Sequence, residues 1–343
     1  MKSIALIVDV KNWAFDIQAQ LIKKSLKDVF KIDIFYSKSE TYNDDVVKII
    51  EDVKDYDIIH FFWRKTLLQI CDTEIQRKLE EKHIDIEELK TKLSTGIYDH
   101  LFIRDDTYNR LYNEYCKRYV TSSKKLFDIY KENSKIKEPF MILGDTFDEK
   151  LFFPKNTNRF KRNEDTLVIG WVGNSSWNNK LLDENKNAID FKGFHTVLKP
   201  VIKELKSEGY NIETYYADKN LNFIPNNEMC NYYSKIDLYV CVSITEGTPR
   251  PLIEAMGCGV PIITTDIGVA KEYFGEKQKK YIIPERHIGK SDNEIKKELK
   301  QKIIHLYKNR RELEELSQEN YEISKIINNS YYKEKYKKYF LEF

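Results

Sequence analysis

Two carboxylates, Glu246 and Glu254, flank a segment whose residue types and spacing suit a phosphorylated ligand. It reads Ser243-Ile-Thr-Glu-Gly-Thr-Pro-Arg-Pro-Leu-Ile-Glu-Ala-Met-Gly-Cys-Gly-Val-Pro-Ile-Ile-Thr-Thr-Asp266 and follows a predicted strand. Its loop therefore falls at the carboxyl end of a parallel sheet, where open α/β folds bind ligands. Thr248 suits a helix N-cap and Pro249 the first helical position, where a missing N–H costs nothing. The spacing predicts a helix from Pro249 to about Met256, ended by Gly257 or Gly259. Its start offers unpaired N–H groups and a partial positive charge, which favour phosphate. From Pro249 to Glu254 a helix rises about 7–8 Å. A ligand with its diphosphate near the helix start then reaches one acid with each end, Glu246 meeting a sugar and Glu254 a ribose. An ordinary βα turn, with an exposed loop Glu and a helix Glu paired to a lysine, satisfies the same spacing.

The elements that must position these residues alternate along the chain. Short β-branched or aromatic runs at 3–9, 31–37, 56–63, 93–99, 118–122 and 138–144, then at 166–173, 211–217, 237–243, 260–266 and 280–284, read as strands, each followed by a charged, helix-periodic stretch. Runs such as Asp57-Ile-Ile-His-Phe-Phe-Trp63 are apolar on both faces and belong to parallel sheets covered by helices on each side. The expectation is an α/β, doubly wound architecture, built twice. A length of 343 residues suits two domains of roughly 150–170 residues each. The polar stretch Pro154–Asp165 reads as a linker that permits hinge motion and creates a cleft. The domains expected are 1–155, 166–320 and a C-terminal helix, 321–343, whose tyrosines pack back on the N-terminal domain.

Composition narrows the function classes. Lys+Arg 57 against Asp+Glu 55 leaves a net charge of +2, so the whole chain carries no strong field for a nucleic acid. No run approaches the roughly 18 apolar residues of a membrane span. The opening Met1-Lys2-Ser3-Ile-Ala-Leu-Ile-Val-Asp9 reads as a buried strand and not as a secretory signal. The cysteines (Cys71, Cys116, Cys230, Cys241 and Cys258) are scattered without a C-x-x-C pair, so reduced, buried thiols are expected instead of a zinc site or a disulfide framework. G-x-G-x-x-G and P-loop patterns are absent. Asp55-Tyr-Asp57 imitates a metal-binding pair but precedes a strand, and no metal or cofactor is expected. Lys23, Lys24, Lys27 and Lys31 in the first predicted helix partly share a face, which suits a solvated surface or docking on anionic lipid.

Glu-Gly-Thr-Pro-x-Pro-Leu-x-Glu-Ala-Met-x-x-Gly-x-Pro, with Pro261-Ile-Ile-Thr-Thr-Asp-Ile-Gly-Val-Ala-Lys-Glu272 after it, resembles the signature of the retaining glycosyltransferases of family 4, which have the GT-B fold. Ile224–Asp237, Ile169-Gly-Trp-Val-Gly-Asn174 and Lys192-Gly193 are similar to that family's other donor-domain stretches, so the resemblance covers essentially 166–275. It implies two Rossmann-like domains facing each other across a cleft, a nucleotide diphosphate sugar donor and a metal-independent transfer to an acceptor hydroxyl. It implies that Glu246 supports the anomeric carbon, Glu254 holds the ribose, Lys192 neutralises the diphosphate, and Gly173, Gly247, Thr248, Pro249 and Leu252 line the donor site. Asn174 stands where many members have Arg, and Arg250 is one candidate replacement.

The first half is less similar. Asp57-Ile-Ile-His60 ends like the family's His-bearing strand. In Ser94-Thr-Gly-Ile-Tyr-Asp-His100, Tyr98 takes the place of a His, followed by Asp99 and His100. Asp99 and His100 are thereby catalytic candidates. His60 reads equally as a cleft residue or a core imidazole. Trp13, in the loop that replaces a glycine-rich one, reads as an acceptor-stacking ring or a core cap. The implied partners are a nucleotide-sugar donor, a glycan or lipid-linked saccharide acceptor and peripheral membrane contact, in a cytoplasmic protein of bacterial surface-glycan synthesis. A sugar-nucleotide epimerase and a non-catalytic donor-binding subunit are the alternatives.

Overall fold

A computed structural model of the chain describes residues 1–156, 159–161, 166–176 and 188–343. The chain forms two compact units, Met1–Thr146 with Asn329–Phe343, and Phe147–Asn328. The stretch read as a linker lies partly outside the described residues, at 157–158 and 162–165.

The first unit holds strands β1 (Ser3–Val8), β2 (Lys31–Tyr36), β3 (Ile58–Phe61), β4 (Leu93–Ile97) and β5 (Arg118–Thr121), all parallel and ordered β2-β1-β3-β4-β5. β3 and β4 are buried throughout, as their apolar runs require in a doubly wound sheet. The helix Val46–Val53 shows how one cover forms: Asp45 caps it by accepting from the Val47 amide at 2.9 Å, and Val46, Val47, Ile49, Ile50 and Val53 face the core. The terminal helix Asn329–Glu342 buries Tyr332, Tyr336, Tyr339 and Phe340 on this unit. Gln18 donates to the Tyr336 hydroxyl at 3.4 Å, and the Tyr339 hydroxyl lies 2.6 Å from Ser94 Oγ.

Three expectations need correction here. The stretch 138–144 is not a strand. It follows β5 through one bridge, Thr121↔Ile142, and its amides at Phe140 and Leu143 donate to the Tyr119 and Thr121 carbonyls at 2.8 Å each. Donors three residues apart break the two-residue alternation that a strand keeps. β4 ends at Ile97, so Tyr98 and Asp99 lie beyond the strand. The first helix is Ala14–Leu26, so Lys27 is its cap and Lys31 opens β2, which breaks up the lysine face.

The second unit repeats the winding with β6 (Leu167–Gly173), β7 (Ile212–Asp218), β8 (Leu238–Cys241), β9 (Ile262–Thr265) and a two-residue β10 (Ile282–Ile283), ordered β10-β9-β8-β6-β7. Trp171 stacks on Phe194 at 4.2 Å between ring centroids, at the centre of a core closed by Leu198, Leu205, Leu299 and Leu316. In both sheets the strand order reverses beside the first strand. In the second sheet that switch point, the place where doubly wound sheets open a crevice, lies between β6 and β8. Among the described residues, no helix is long and apolar enough to cross a membrane.

Candidate functional site

The loops that leave β6 and β8 flank this switch point. β8 runs into Ser243–Pro249, and the Ser243 carbonyl accepts from Thr265 Oγ1 at 2.7 Å. The Ile244 amide donates to the Phe191 carbonyl at 3.0 Å, joining this loop to the one that carries Lys192. Lys192 Nζ pairs with Glu246 Oε1, and Ser243 Oγ donates to the same oxygen at 3.0 Å. Burial alone would depress the Lys192 ammonium, but the Glu246 carboxylate beside it more than reverses this and keeps the lysine charged. A cation and a carboxylate thus share one partly open position at the carboxyl edge of the sheet.

The backbone around this pair has little freedom. Gly193 has φ +66°, and a Cβ there would stand 2.4 Å from the Val242 carbonyl oxygen and 2.6 Å from Arg286 Nη1. Buried Arg286 donates from Nη1 to the carbonyls of Val242 at 2.8 Å and Asp190 at 3.1 Å, and it holds Asp292 through Nε and Nη2 at 2.9 and 2.8 Å. Asp190 in turn accepts from the amides of His195 and Thr196 at 2.6 and 2.8 Å. The Glu246–Gly247 backbone rests on Gly268, whose φ is +43° and where a Cβ would fall 1.7 Å from the Gly247 oxygen. The Val269 amide donates to that same oxygen at 3.1 Å.

The helix after the loop runs Arg250–Gly257, one residue later than expected, with Pro249 at the cap position in place of Thr248. Pro251 fits the first turn because the N–H it lacks is one that a helix start leaves unused. Fewer amides are therefore on offer than the sequence suggests. Pro251 has none, and those of Leu252 and Ile253 already donate to the Pro249 carbonyl at 2.9 and 3.4 Å. Leu252 itself is fully buried. At the other end the Val260 amide returns to the Ala255 carbonyl at 2.8 Å, with Gly259 at φ +62°.

Glu254 faces inward. One oxygen meets Arg250 Nη2 at 3.1 Å and the other accepts from the Tyr233 hydroxyl at 3.2 Å, with both charged side chains about 5% exposed. Burial pushes its carboxyl up, and Arg250 and Tyr233 oppose that. Arg250, the candidate replacement for the cation missing at the Asn174 position, thus holds Glu254 with one guanidinium nitrogen. Glu254→Gln should cost about 3–5 kcal/mol in urea denaturation, because it strips a buried guanidinium of its carboxylate. The double variant Arg250→Met/Glu254→Gln should recover most of that loss.

Gly173 ends β6, and a Cβ there would lie 2.7 Å from the Trp171 ring, so core packing alone accounts for the glycine. Asn174 Oδ1 accepts from Asn220 Nδ2 at 2.7 Å and from the Ser176 amide at 3.0 Å, which makes this residue a loop anchor. Asp218, at the end of β7, holds the same loop by accepting from the Ser175 amide at 3.2 Å.

The candidates in the first unit separate into core and edge. His60 is 2% exposed, its Nδ1 lies 2.5 Å from Ser94 Oγ, and its ring packs edge-on against Phe62. It is a satisfied core imidazole and not an acceptor contact. Burial lowers its pKa from 6.5 to about 3. The unfolded chain therefore binds the proton more readily, and this contribution to stability is present above about pH 6.5 and is lost as pH falls toward 3. Replacing His60 with Gln should flatten the acid limb of stability by up to ~1.4 kcal/mol per pH unit within that window. Tyr98 folds back over Gly96 and packs on Phe15 at 4.7 Å between centroids. Asp99 pairs with buried Arg64 at 2.6 Å and accepts from the Leu101 amide at 3.0 Å, so its carboxylate positions a loop. Trp13 and His100 are half-buried beside these residues in sequence, Trp13 at the cap of helix Ala14–Leu26.

Ser243, Arg286, Asp190, Gly268 and Tyr233 were not singled out by sequence. Asp190 carried a capping signal before a helix, and Gly268 lay in the glycine turn after Asp266. Arg286 left no local sign, since its carbonyl partners lie 44 and 96 residues away.

Residues 200–322 match the family described as Glycosyl transferases group 1. Protein CapJ of Staphylococcus aureus is 28% identical over 149 residues, 35% of this chain and 35% of its own length. TuaC of Bacillus subtilis, a glycosyltransferase assigned to teichuronic acid biosynthesis, is 39% identical over 61 residues, 18% of this chain and 16% of its own. The matched segments thus span about a third of CapJ and about a sixth of TuaC. The crystal structure of Anabaena HepE in complex with UDP-glucose superposes over 100% of both chains with a TM-score of 0.68 at 13% identity. Residues 200–322 of the second unit are accordingly similar to the glycosyltransferase group 1 family, and the chain has the GT-B fold.

Proposed function

We propose that this protein transfers a sugar, with retained configuration, from a nucleotide diphosphate sugar to an acceptor hydroxyl, in the manner of family 4 and without a metal. The observation that carries the reading is the Lys192–Glu246 pair at the β6/β8 switch point, on a loop braced by Gly268 and Arg286. The group 1 match across the same unit supports it. When the donor binds, Lys192 turns to the diphosphate and offsets the charge that develops as the bond to the anomeric carbon breaks. Glu246 faces the oxocarbenium-like sugar, which the acceptor hydroxyl attacks from the side the diphosphate leaves. Ser243 keeps the carboxylate oriented. Glu254, on the next helix, holds the ribose by exchanging its Tyr233 partner for the ribose hydroxyls. The TuaC likeness supports a role in bacterial surface-glycan synthesis, with a glycan or lipid-linked acceptor at the inner face of the membrane.

Product analysis tests the reaction. The protein is incubated with UDP- and GDP-sugars and a panel of saccharide acceptors, and the linkage is assigned by the anomeric proton coupling in NMR. Acceptor-dependent release of nucleoside diphosphate, with the donor's anomeric configuration kept in the product, is the expected outcome. Inverted configuration overturns the retaining mechanism. An epimerised nucleotide sugar formed without acceptor marks an epimerase, and donor binding without turnover marks a binding subunit. The second of these draws on Asn174, which leaves the diphosphate one cation short of the family pattern.

A further inference from the structure

Two of the cysteines meet inside the second unit. Cys258 Sγ donates to Cys230 Sγ at 3.7 Å, and Cys230 Sγ donates to the Phe153 carbonyl at 3.3 Å. Both residues are buried, at 2% and 1% exposure. Cys230 lies in the helix Met229–Tyr233, while Cys258 caps the helix Arg250–Gly257. Arg159 ties the same two segments, donating to the Tyr233 carbonyl at 2.9 Å and to the Gly259 carbonyl. Its guanidinium is 6% exposed, and its Nε has no hydrogen-bond partner among the described residues. Burial pushes the Cys258 thiol up, with Arg159 opposing it, so Cys258 keeps its proton and gives it to the hydrogen bond. The thiolate, the form that reacts with oxidants, falls to Cys230. The hydrogen bond from Cys258, working against burial, also holds the Cys230 thiol down at about 6.

We infer that Cys230 and Cys258 form an oxidative modification site that closes to an intramolecular disulfide with a peroxide. The Cys230 thiolate attacks one peroxide oxygen: the S–O bond forms, the O–O bond breaks and hydroxide leaves, giving a sulfenic acid. The Cys258 sulfur then attacks the Cys230 sulfur. The S–S bond forms, the S–O bond breaks, and the departing hydroxide leaves as water with the Cys258 proton. Overall two thiols lose two electrons and one hydrogen peroxide becomes two waters. Phe153, whose carbonyl accepts from Cys230, is itself 42% exposed, which brings the pair close to the surface that hydrogen peroxide reaches.

The disulfide draws the sulfurs from 3.7 Å to about 2.05 Å and pulls the helix ends together. The Cys258 amide donates to the Glu254 carbonyl at 3.0 Å, and Glu254 meets Tyr233 at 3.2 Å. Closure therefore shifts the Tyr233–Glu254 contact. An effect on donor affinity, expected as a fall of about tenfold, rests on the proposed function, whereas the disulfide itself does not.

The full chain is treated with hydrogen peroxide, remaining thiols are blocked with N-ethylmaleimide, and tryptic peptides are sequenced by mass spectrometry. The expected result is a cross-link between the Asn220–Lys235 and Ile236–Lys271 peptides, with fragmentation placing it on Cys258 and not Cys241, reversed by dithiothreitol. In Cys258→Ser the cross-link should vanish and Cys230 should be labelled by dimedone. Five blocked thiols in the native protein after peroxide, or a cross-link to another cysteine, overturns the proposal. Titration of UDP-sugars onto the reduced and oxidised protein separates the two readings. Binding to neither form refutes the proposed function and leaves the disulfide standing, while equal binding to both refutes its coupling to the donor.

Discussion

Glu246→Gln should lower kcat by about 10³-fold, ~4 kcal/mol of barrier, while leaving the fold intact. The substitution keeps the shape and removes the charge that faces the transferred sugar. Its carboxylate is 17% exposed and shared by Lys192 and Ser243, and an amide oxygen can still accept from both. Because the carboxylate also offsets the burial of Lys192, stability in urea should fall by about 1–3 kcal/mol, and activity is compared on folded protein. Glu246→Asp withdraws the carboxylate by one methylene and should give an intermediate loss. Product formation under single-turnover conditions measures the effect on the chemical step apart from product release. A wild-type rate in Glu246→Gln would remove this residue from the reaction.

Gly268→Ala should be as damaging from a position that touches no ligand. The added Cβ would meet the Gly247 oxygen at 1.7 Å and the Glu246 oxygen at 2.7 Å, and those atoms are backbone, so no side chain can swing aside. The left-handed backbone at φ +43° adds strain for any residue with a Cβ. The loop that carries Glu246 must move, and the expected cost is about 2–4 kcal/mol of stability with a loss of at least ~10²-fold in kcat/KM, as misplaced catalytic groups give. Gly209→Ala is the control. Gly209 has φ +88° but nothing within 4 Å of a Cβ, so it should show only the backbone strain of about 1–2 kcal/mol and full activity. Thermal melts and steady-state kinetics on the two variants separate strain from loop displacement.

Both sheets were legible in sequence because their central strands are apolar on both faces, a pattern that a parallel sheet demands. The strand reading faltered at 138–144, where the hydrophobic run does follow β5 but its donors, Phe140 and Leu143, stand three residues apart and break the two-residue alternation of a strand. The helix after Glu246 was legible from its prolines and glycines. Its start was misplaced because two prolines, at 249 and 251, each suit the first turn and periodicity cannot choose between them. Glu254 and Arg250 sit at i, i+4, a spacing readable as an ion pair, yet nothing local told a buried pair from a solvated one. Lys192 and Glu246 are 54 residues apart, and their meeting depends on how the loops leaving β6 and β8 are knitted together. His60 could not be assigned for the same reason, since its partner Ser94 arrives from a different strand. Cys230 and Cys258 read as scattered thiols until the fold brought them into contact.

Calorimetric titration of nucleotide diphosphate sugars onto the wild-type chain and Lys192→Met bears most directly on the central claim. One site per chain that requires the diphosphate is expected, with affinity at least about tenfold weaker in Lys192→Met, as loss of a charge-assisted contact entails. Binding of equal strength to both proteins, or none by any nucleotide sugar to the wild type, would contradict it.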